Sequence, residues 1–326
     1  MTDASTVPAE FKSAFLAACG SQQAMSFERF MALALYDPHV GYYRGERERV
    51  GRGHGTDFYT ATSSGPLFGE LIAAACTSLL HRRDLKTYTF IEIGSESPNG
   101  VLDGVAHPFK SVRTLRLGEP LNISGQCIVF SNELLDAQPF RRFIGRSDGW
   151  HELGVALRDD RLVEFELAKV NESFLPTPAV TDYVIDAPVV SADLTREIAE
   201  QPWTGLFVAF DYGKTWREIV ESCPAGTARA YYRHTQSNDL LAHPSQQDLT
   251  CHICWDWISS ALERAGFHSP KVEFQESFLI HNAGEAIAAI SSAEAARFSP
   301  RKASLLQLLH PTHMGQKFQV LHALRD

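Results

Sequence analysis

The sequence predicts an α/β fold with an open sheet whose strands end in polar residues. Three apolar runs support this prediction, and each leads directly into such residues: Phe90–Ile93 into Gly94, Cys127–Ser131 into Asn132-Glu133, and Leu206–Phe210 into Asp211. Runs of aromatic and β-branched residues are typical of buried strands. Because ligands of open α/β sheets bind beyond the carboxyl ends of the strands, these ends are candidate sites. The alternative is that they are ordinary core strands with solvated ends.

The composition is that of an ordinary globular protein, and it excludes some classes of function. The 326 residues are 44% hydrophobic and 21% charged, which allows a large core in one elaborated domain or in two. A formal net charge of −9 argues against sequence-independent binding to nucleic-acid phosphates. No apolar run approaches the ~18–20 residues that span a bilayer, and the N-terminus does not resemble a signal sequence. We therefore expect a cytoplasmic protein with no nucleic-acid partner and no membrane span.

The cysteines point to a reducing compartment rather than to a disulfide framework. The six cysteines are scattered, and Cys127 lies inside a predicted core strand. Cys251 and Cys254 have the CxxC spacing, but no second pair of residues completes a set of four zinc ligands. We therefore expect free thiols and no metal site.

The N-terminal quarter predicts helices separated by an aromatic segment. Residues 8–19 alternate charged and apolar groups as a short helix does, and a second helix follows Ser26 and ends at Asp37-Pro38. The stretch Tyr36–Tyr43 is too aromatic for a linker and too rich in turn formers for a helix. Pro66 suits the first turn of a third helix, whose buried face extends to Leu79.

Beyond Phe140 the apolar pattern changes to a period of two, which predicts a β-meander inserted into the α/β core. Its strands are predicted at Arg142–Ile144, Trp150–Leu157 and Leu162–Leu167. The proline-bearing segment Asn171–Ala192 is predicted to be a loop. The elements predicted toward the C-terminus are helices at Asp256–Ala265 and Gly284–Ala296 and strands at Lys271–Ile280 and Lys317–Leu324.

Several specific stretches occur in one order along nearly the whole chain. They are Tyr36–Tyr43, Asp57–Thr60, Pro66–Glu70, Asn132–Pro139, Phe210–Gly213, Gly226–Tyr231, Asp248–His252, Met314-Gly315, Phe318 and Val320-Leu321. In these stretches the chain resembles the MidA-like family of class I S-adenosylmethionine-dependent methyltransferases, which includes the mitochondrial factor that methylates an arginine during complex I assembly. The resemblance implies a Rossmann-like, doubly wound, mostly parallel sheet. It further implies an N-terminal helical cap at residues 1–86 that contributes to the cofactor cleft, and a methyltransferase domain at 87–326 with the meander inserted at about 141–170.

The resemblance also implies roles for individual residues. The cofactor is S-adenosyl-L-methionine, and the protein mainly positions the cofactor and the acceptor. The implied cofactor-binding residues are Asp57, Thr60, Glu92, Gly94, Glu119 and Asn132, and the implied catalytic residues are Asn132, Glu133 and Asp136. A carboxylate facing a guanidinium would orient it through two hydrogen bonds. For Asp136 and Asp211, a helix cap or an ion pair stays the alternative.

The chain departs from the family at the turn after the first strand of the sheet. The family has Glu-Leu-Gly-Pro-Gly and a further glycine, whereas Gly94 is followed by Ser95 and Glu96, and a side chain there blocks close approach of the backbone to the cofactor. The family also has two strand–helix units before its Asn-Glu strand, whereas one strand, Val112–Leu117, is expected in this chain. Glu119 follows Gly94 by 25 residues, near the ~20 expected of a ribose-binding acid. Either Glu119 takes the place of that acid, or the ribose site is lost.

These observations leave three hypotheses for function. The first is a methyltransferase that acts on a protein arginine side chain, with cofactor binding that the altered turn weakens or abolishes. The second is a catalytically degenerate relative that keeps the fold and serves as a binding or assembly partner. The third is a protein whose shortened pocket binds a different small molecule. The expected partner is a protein substrate or an assembly partner, and a homodimer is compatible with the first two hypotheses.

Overall fold

The computed structural model of the chain describes residues 7–20, 23–44, 66–95, 97–295 and 299–326. The α-helices in this part of the chain are α1 (Ala9–Cys19), α2 (Phe27–Tyr36), α3 (Pro66–Leu79), α4 (Val189–Ala199), α5 (Trp216–Ser222), α6 (Trp255–Arg264), α7 (Gln275–Ala293) and α8 (Pro300–Leu309). The strands are β1 (Ala24–Ser26), β2 (Thr89–Ile93), β3 (Ser111–Leu115), β4 (Gly125–Asn132), β5 (Arg141–Arg146), β6 (Gly149–Arg158), β7 (Arg161–Val170), β8 (Val184–Ala187), β9 (Trp203–Asp211), β10 (Gly213–Lys214), β11 (Arg229–Tyr232), β12 (Thr235–Ser237), β13 (Asp248–Thr250), β14 (Ile253–Cys254), β15 (His268–Phe274) and β16 (Gln319–Arg325). None of the described helices combines the length and the apolar character needed to cross a bilayer.

The chain is shared between two compact units, and neither unit is one continuous segment. Unit 1 consists of Met1–Tyr59, Leu135–Ala192 and Lys214–Cys254. Unit 2 consists of Thr60–Leu134, Asp193–Gly213 and Trp255–Asp326. The division at residue 86 and the insertion at 141–170 that the sequence suggested stay predictions.

A six-stranded mixed sheet forms the centre of unit 2, in the order β15-β16-β9-β4-β2-β3. The strands β2, β3, β4 and β9 are parallel, whereas β16 is antiparallel to both of its neighbours. Parallel strands are covered on both faces, so their sequences are apolar along their length. In agreement with this, β9 and the second half of β4 are almost entirely buried.

Phenylalanine side chains from helices and strands meet in the core of unit 2. The ring centroid of Phe210 on β9 lies 5.8 Å from that of Phe130 on β4, 5.5 Å from Phe68 on α3 and 5.3 Å from Phe278 on α7. All four side chains are buried. Offset and edge-to-face pairs of this kind contribute about 0.5–1.5 kcal/mol each beyond their buried area. The core therefore fixes both helices against the parallel strands that carry the candidate site.

The sheet of unit 2 is short on the β3 side, as the sequence predicted. The expected strand Val112–Leu117 is present as β3, although it ends two residues earlier. The residues described between β2 and β3, and those between β3 and β4, form turns and irregular segments without an α-helix. The described part of this interval thus contains one strand, as the sequence predicted, whereas the loss of a strand–helix unit relative to the family stays a prediction.

Unit 1 contains an antiparallel sheet of five strands, in the order β1-β6-β5-β8 with β7 paired to β6. The strands β5, β6 and β7 are the predicted meander, since β6 is antiparallel to both of the others. Each predicted strand is present, with ends extended by up to a few residues. A second, three-stranded sheet in the order β12-β11-β13 belongs to the same unit.

The two N-terminal helices complete the core of unit 1. Phe27 at the start of α2 lies 5.1 Å from Phe140 and 5.6 Å from Phe30, and Phe11 on α1 lies 6.1 Å from Phe30, measured between ring centroids. The hydroxyl of Ser26 accepts a hydrogen bond from the amide of Arg29 at 3.3 Å and so caps α2, where the sequence predicted this helix to begin.

The prediction of a loop from Asn171 to Ala192 is wrong, because the segment contains β8 and the first turn of α4. β8 is only four residues long and forms because it pairs with β5, where Ile185 lies opposite Phe143. Both of these side chains are buried. The strand depends on a partner about forty residues away, so local pattern did not reveal it.

The predicted strand Lys271–Ile280 is wrong in its second half. β15 ends at Phe274, and α7 begins at Gln275, whose buried side chain donates through Nε2 to the carbonyl of Leu308 at 2.8 Å. The helix α8 was not predicted. Its sequence signal is Ser299-Pro300, because the serine hydroxyl caps the helix and proline suits its first position.

Candidate functional site

Polar residues leave the parallel strands of unit 2 at one edge of the sheet. Ile93 is paired with Ser131, and Asn132 is paired with Phe210, so Gly94, Asn132 and Asp211 follow or end neighbouring strands at similar levels. The amide of Glu133 donates to the carbonyl of Phe210 at 3.0 Å and extends the pairing by one residue. This edge is the position where open α/β sheets bind ligands.

Asn132 and Glu133 have the features of a built site. The side-chain amide of Asn132 donates through Nδ2 to Oε1 of Glu133 at 3.2 Å. Its Oδ1 is buried and accepts no hydrogen bond from any residue that the structure describes. Glu133 has a φ of +51°, a left-handed conformation that costs a residue with a side chain about 1–2 kcal/mol. Strain and unsatisfied polar atoms are concentrated at functional sites, which makes this pair a strong candidate.

Gly94 is required by its conformation and by its neighbours. It has a φ of +77°, and its amide donates to the carbonyl of Leu115 at 2.9 Å, which joins the turn after β2 to the end of β3. A Cβ atom at this position would lie 2.7 Å from Cδ1 of Leu134, closer than real contacts allow. The Leu134 side chain therefore packs against Gly94, and glycine gives the turn its left-handed conformation without strain.

Glu92 is buried and directed at the loop that follows its own strand. Its Oε2 accepts a hydrogen bond from the amide of Val101 at 2.5 Å. Burial raises the pKa of Glu92, while hydrogen bonds from Val101 and Ser95 act in the opposite direction. A Cβ atom on Gly100 would lie 2.5 Å from the same Oε2, so the loop closes tightly around the carboxylate. Glu92 thus orders the segment after Gly94.

Glu119 lies in an exposed turn after β3. Its Oε2 accepts a hydrogen bond from the amide of Arg116 at 3.1 Å, and its own amide donates to the carbonyl of Arg116 at 3.0 Å. The carboxylate is therefore partly used to stabilise the turn that carries it. Glu119 follows β3, the strand paired with β2, and its role as a ribose-binding acid stays a prediction.

Asp136 belongs to unit 1, where it lies within a group of tyrosines and carboxylates. Its carbonyl accepts a hydrogen bond from the amide of Cys251 at 3.0 Å, and its side chain is buried. Tyr36 donates through its hydroxyl to the carbonyl of Ala137 at 2.8 Å. Burial raises the pKa of Tyr36, and the charges of Asp248 and Asp136 raise it further.

A second tyrosine extends this group. The hydroxyl of Tyr43 donates to Oδ1 of Asp248 at 2.7 Å, and the Tyr43 ring stacks on that of Tyr36 with 5.4 Å between centroids. No role was predicted from the sequence for Tyr36, Tyr43 and Asp248. The available signal was their place in two of the stretches that carried the family resemblance, Tyr36–Tyr43 and Asp248–His252.

The other predicted residues have separate outcomes. Asp57 and Thr60 lie outside the described residues, as does Glu96, whose side chain was expected to obstruct the cofactor turn. Asp211 is fully buried at the end of β9, where its Oδ1 accepts the amide of Tyr212 at 2.9 Å. Cys251 and Cys254 are both buried as free thiols. The structure thus brings Gly94, Asn132 and Glu133 together, and describes Asp136 within the other unit.

Two solved structures resemble the chain over nearly its whole length. A protein from Burkholderia thailandensis with S-adenosyl-homocysteine bound aligns with a TM-score of 0.83 at 23% identity, covering 97% of this chain and 91% of that one. A native structure of an uncharacterised protein from the same organism aligns with a TM-score of 0.80 at 24% identity, covering 97% of this chain and 91% of that one. These likenesses confirm the predicted α/β fold of the class I methyltransferase type.

The sequence itself also matches a family model. A model described as "Putative S-adenosyl-L-methionine-dependent methyltransferase" matches residues 106–272, just over half of the chain. The match includes β4 with Asn132 and Glu133, the whole meander and the segment from Gly226 to His252. None of the curated proteins matches the chain.

Proposed function

Because the chain belongs to this family of S-adenosyl-L-methionine-dependent methyltransferases, we propose that it transfers a methyl group from that cofactor to a nitrogen of a protein arginine side chain. The observation that carries the proposal is the pair at the end of β4: Asn132, with a buried Oδ1 that accepts no bond from the described residues, and Glu133, held in a left-handed conformation. The choice of arginine is supported by the resemblance to the MidA-like family and by the match between a carboxylate and a guanidinium.

The residues at the strand ends fit the cofactor. The turn after β2 is left-handed at Gly94, and a side chain at residue 94 would collide with Leu134. The orphaned Oδ1 of Asn132 is an acceptor that a bound donor group could satisfy. Glu92 orders the segment after this turn, because its carboxylate accepts a hydrogen bond from the Val101 amide. Glu119 is the candidate for the ribose hydroxyls, and Asp57 and Thr60, which lie outside the described residues, remain predicted cofactor-binding residues.

The chain's own residues would then bind and orient the acceptor. When bound, S-adenosyl-L-methionine supplies an activated methyl group and a thioether leaving group. Asn132 and Glu133 accept N–H hydrogen bonds from the guanidinium and aim one nitrogen along the line of transfer. The Glu133 carboxylate also holds the proton that this nitrogen must release as it forms its new bond. Asp136, three residues further along the chain, is assigned to the acceptor from the family resemblance.

A degenerate relative that acts as a binding or assembly partner is the second candidate. It is favoured by the contacts of Glu92 and Glu119, because both carboxylates accept hydrogen bonds from amides of their own turns. The replacement of the family's second glycine by Glu96 points the same way. Each lost hydrogen bond to a charged ligand group costs about 1.5–3 kcal/mol. Either function is expected of a cytoplasmic protein that binds another protein.

Calorimetric titration with S-adenosyl-L-methionine, followed by transfer of a labelled methyl group to arginine-containing proteins, tests the proposal. We expect measurable binding to the wild type, loss of binding in Asn132→Ala, and retained binding with loss of transfer in Glu133→Gln. Asn122→Ala is the matched control, because Asn122 is an exposed asparagine just before the same strand β4. If the folded wild-type protein gives no heat with millimolar cofactor, the transferase proposal fails and the degenerate relative is supported.

A further inference from the structure

A buried ion pair in unit 1 fixes a loop to which the proposed reaction assigns no role. Asp186 on β8 is fully buried, and its Oδ1 accepts a hydrogen bond from Nη1 of Arg142. Its Oδ2 accepts the amides of two consecutive residues, Thr227 at 2.7 Å and Ala228 at 2.8 Å. A Cβ atom on Gly226, whose φ is +73°, would lie 2.3 Å from this oxygen. The loop is thus shaped closely around one carboxylate.

Stability alone does not account for this arrangement. Removing two charges from water costs several kcal/mol per ion, and well-packed apolar side chains often replace a buried pair without loss of stability. Arg142 is further engaged by Glu164, whose Oε2 lies 2.8 Å from its Nε. The particular property of a buried, fully hydrogen-bonded carboxylate is that it fixes the direction of each donor. The donors that Asp186 fixes include two backbone amides of one loop.

The loop is connected by hydrogen bonds to the backbone of Asp136. Thr227, whose amide binds Asp186, accepts through Oγ1 the amide of His252 at 3.2 Å. The next strand, β11, is antiparallel to β13, with Arg229 opposite Thr250. Cys251, between Thr250 and His252, donates its amide to the carbonyl of Asp136 at 3.0 Å. All of these residues belong to unit 1.

We propose that Asp186 is a positioning residue for the acceptor side of the reaction. Asp186 fixes the loop Gly226–Ala228 and, through Thr227 and the segment Thr250–His252, holds the backbone of Asp136 in place. The inference rests on the proposed function for the role of Asp136 at the acceptor. Asp186 itself is buried and acts through these bonds without touching substrate. Its removal therefore lowers kcat for the acceptor and leaves cofactor affinity unchanged.

Substitutions at Thr227 give the sharpest test, because they change one hydrogen bond. Thr227→Val keeps the shape and removes the acceptor of the His252 amide, whereas the matched control Thr227→Ser keeps the hydroxyl. In Thr227→Val and in Asp186→Asn we expect kcat to fall about tenfold or more at unchanged cofactor Kd, the size of effect that misplacing a reacting group produces. Thr227→Ser should stay within about twofold of the wild type.

A readout that needs no activity separates this inference from the proposed function. We expect the Cys251 amide, observed by NMR, to exchange with solvent faster in Thr227→Val than in Thr227→Ser or the wild type, while amides of β4 keep their protection. Equal exchange of the Cys251 amide in all variants overturns the positioning role, and so does an equal kcat. Absence of methyl transfer in the wild type overturns only the proposed function, because the exchange comparison still decides the link to Asp136. If Asp186→Asn does not fold, the two Thr227 variants give the decision.

Discussion

Gly94 and Asn132 leave adjacent parallel strands at the same level, because Ile93 and Ser131, the residues before them, are paired across β2 and β4. The carbonyl of Phe210 on the next strand accepts the amide of Glu133, so β9 ends at the same edge. A methyl donor and its acceptor must approach each other within a few ångströms. The pairing of two core strands, set by burial on both faces, therefore places Gly94 and Asn132 side by side at the candidate site.

Gly94→Ala should destabilise the protein more than the same change at Gly104. Both glycines have positive φ values, +77° and +68°, but a Cβ atom meets Leu134 at residue 94 and nothing within 4 Å at residue 104. Left-handed strain alone costs about 1–2 kcal/mol, and forcing a methyl group into a filled space adds about 1–3 kcal/mol. Urea unfolding of the two variants measures the difference. Equal losses would contradict the close approach of Leu134.

Glu133→Gly should separate stability from activity. Glycine adopts the left-handed conformation without strain, so we expect the free energy of unfolding to be unchanged or to rise by about 1 kcal/mol. Methyl transfer should fall at least about a hundredfold, since the carboxylate that we propose to receive the acceptor is gone. Asp159→Gly is the matched control, an exposed residue with a φ of +47° outside the site. A glycine variant at 133 that keeps full activity would remove Glu133 from the mechanism.

Glu92→Gln should change how stability depends on pH. Burial raises the pKa of Glu92 above its ordinary value of 4.5, so the folded state keeps the proton to higher pH than the unfolded state. The wild type therefore loses stability as pH rises from 4.5 through the raised pKa, whereas glutamine keeps an acceptor for the Val101 amide and has no proton to lose. Unfolding measured at several pH values should show that the stability of the variant relative to the wild type increases as the pH rises toward neutral. A constant difference would mean that the carboxylate is not desolvated.

His252 should make the protein sensitive to mild acid. Burial lowers the pKa of His252 from 6.5 to about 4, and the positive charges of Lys214 and Arg229 add to this, against smaller opposing effects of Asp186 and Glu218. The unfolded chain takes up this proton near pH 6.5 and the folded chain near pH 4, so stability is lost as pH falls between these values. In His252→Gln the decline over this range should be shallower. Identical slopes for the variant and the wild type would contradict the buried, neutral ring.

The strands of the core were predictable because burial on both faces leaves a continuous apolar run, as at Phe90–Ile93 and Leu206–Phe210. The short strand β8 was not, since its residues become a strand only by pairing with β5. For the candidate site, the family resemblance predicted Asn132 and Glu133 but not the orphaned Oδ1 or the positive φ, which depend on neighbours brought together by folding. The role of Asp186 was hidden for the same reason: its partners are backbone amides about forty residues away.

The alternation of the chain between the two units has a consequence for biosynthesis. The core of unit 1 contains residues as far apart in the sequence as Val7 and Cys251. The sheet of unit 2 is complete only when β16 is added between β9 and β15. Until the ribosome has synthesised Cys251, neither unit has all of its parts. A single cut between Thr60 and Cys251 separates parts of both units, so the two fragments should be insoluble when expressed alone.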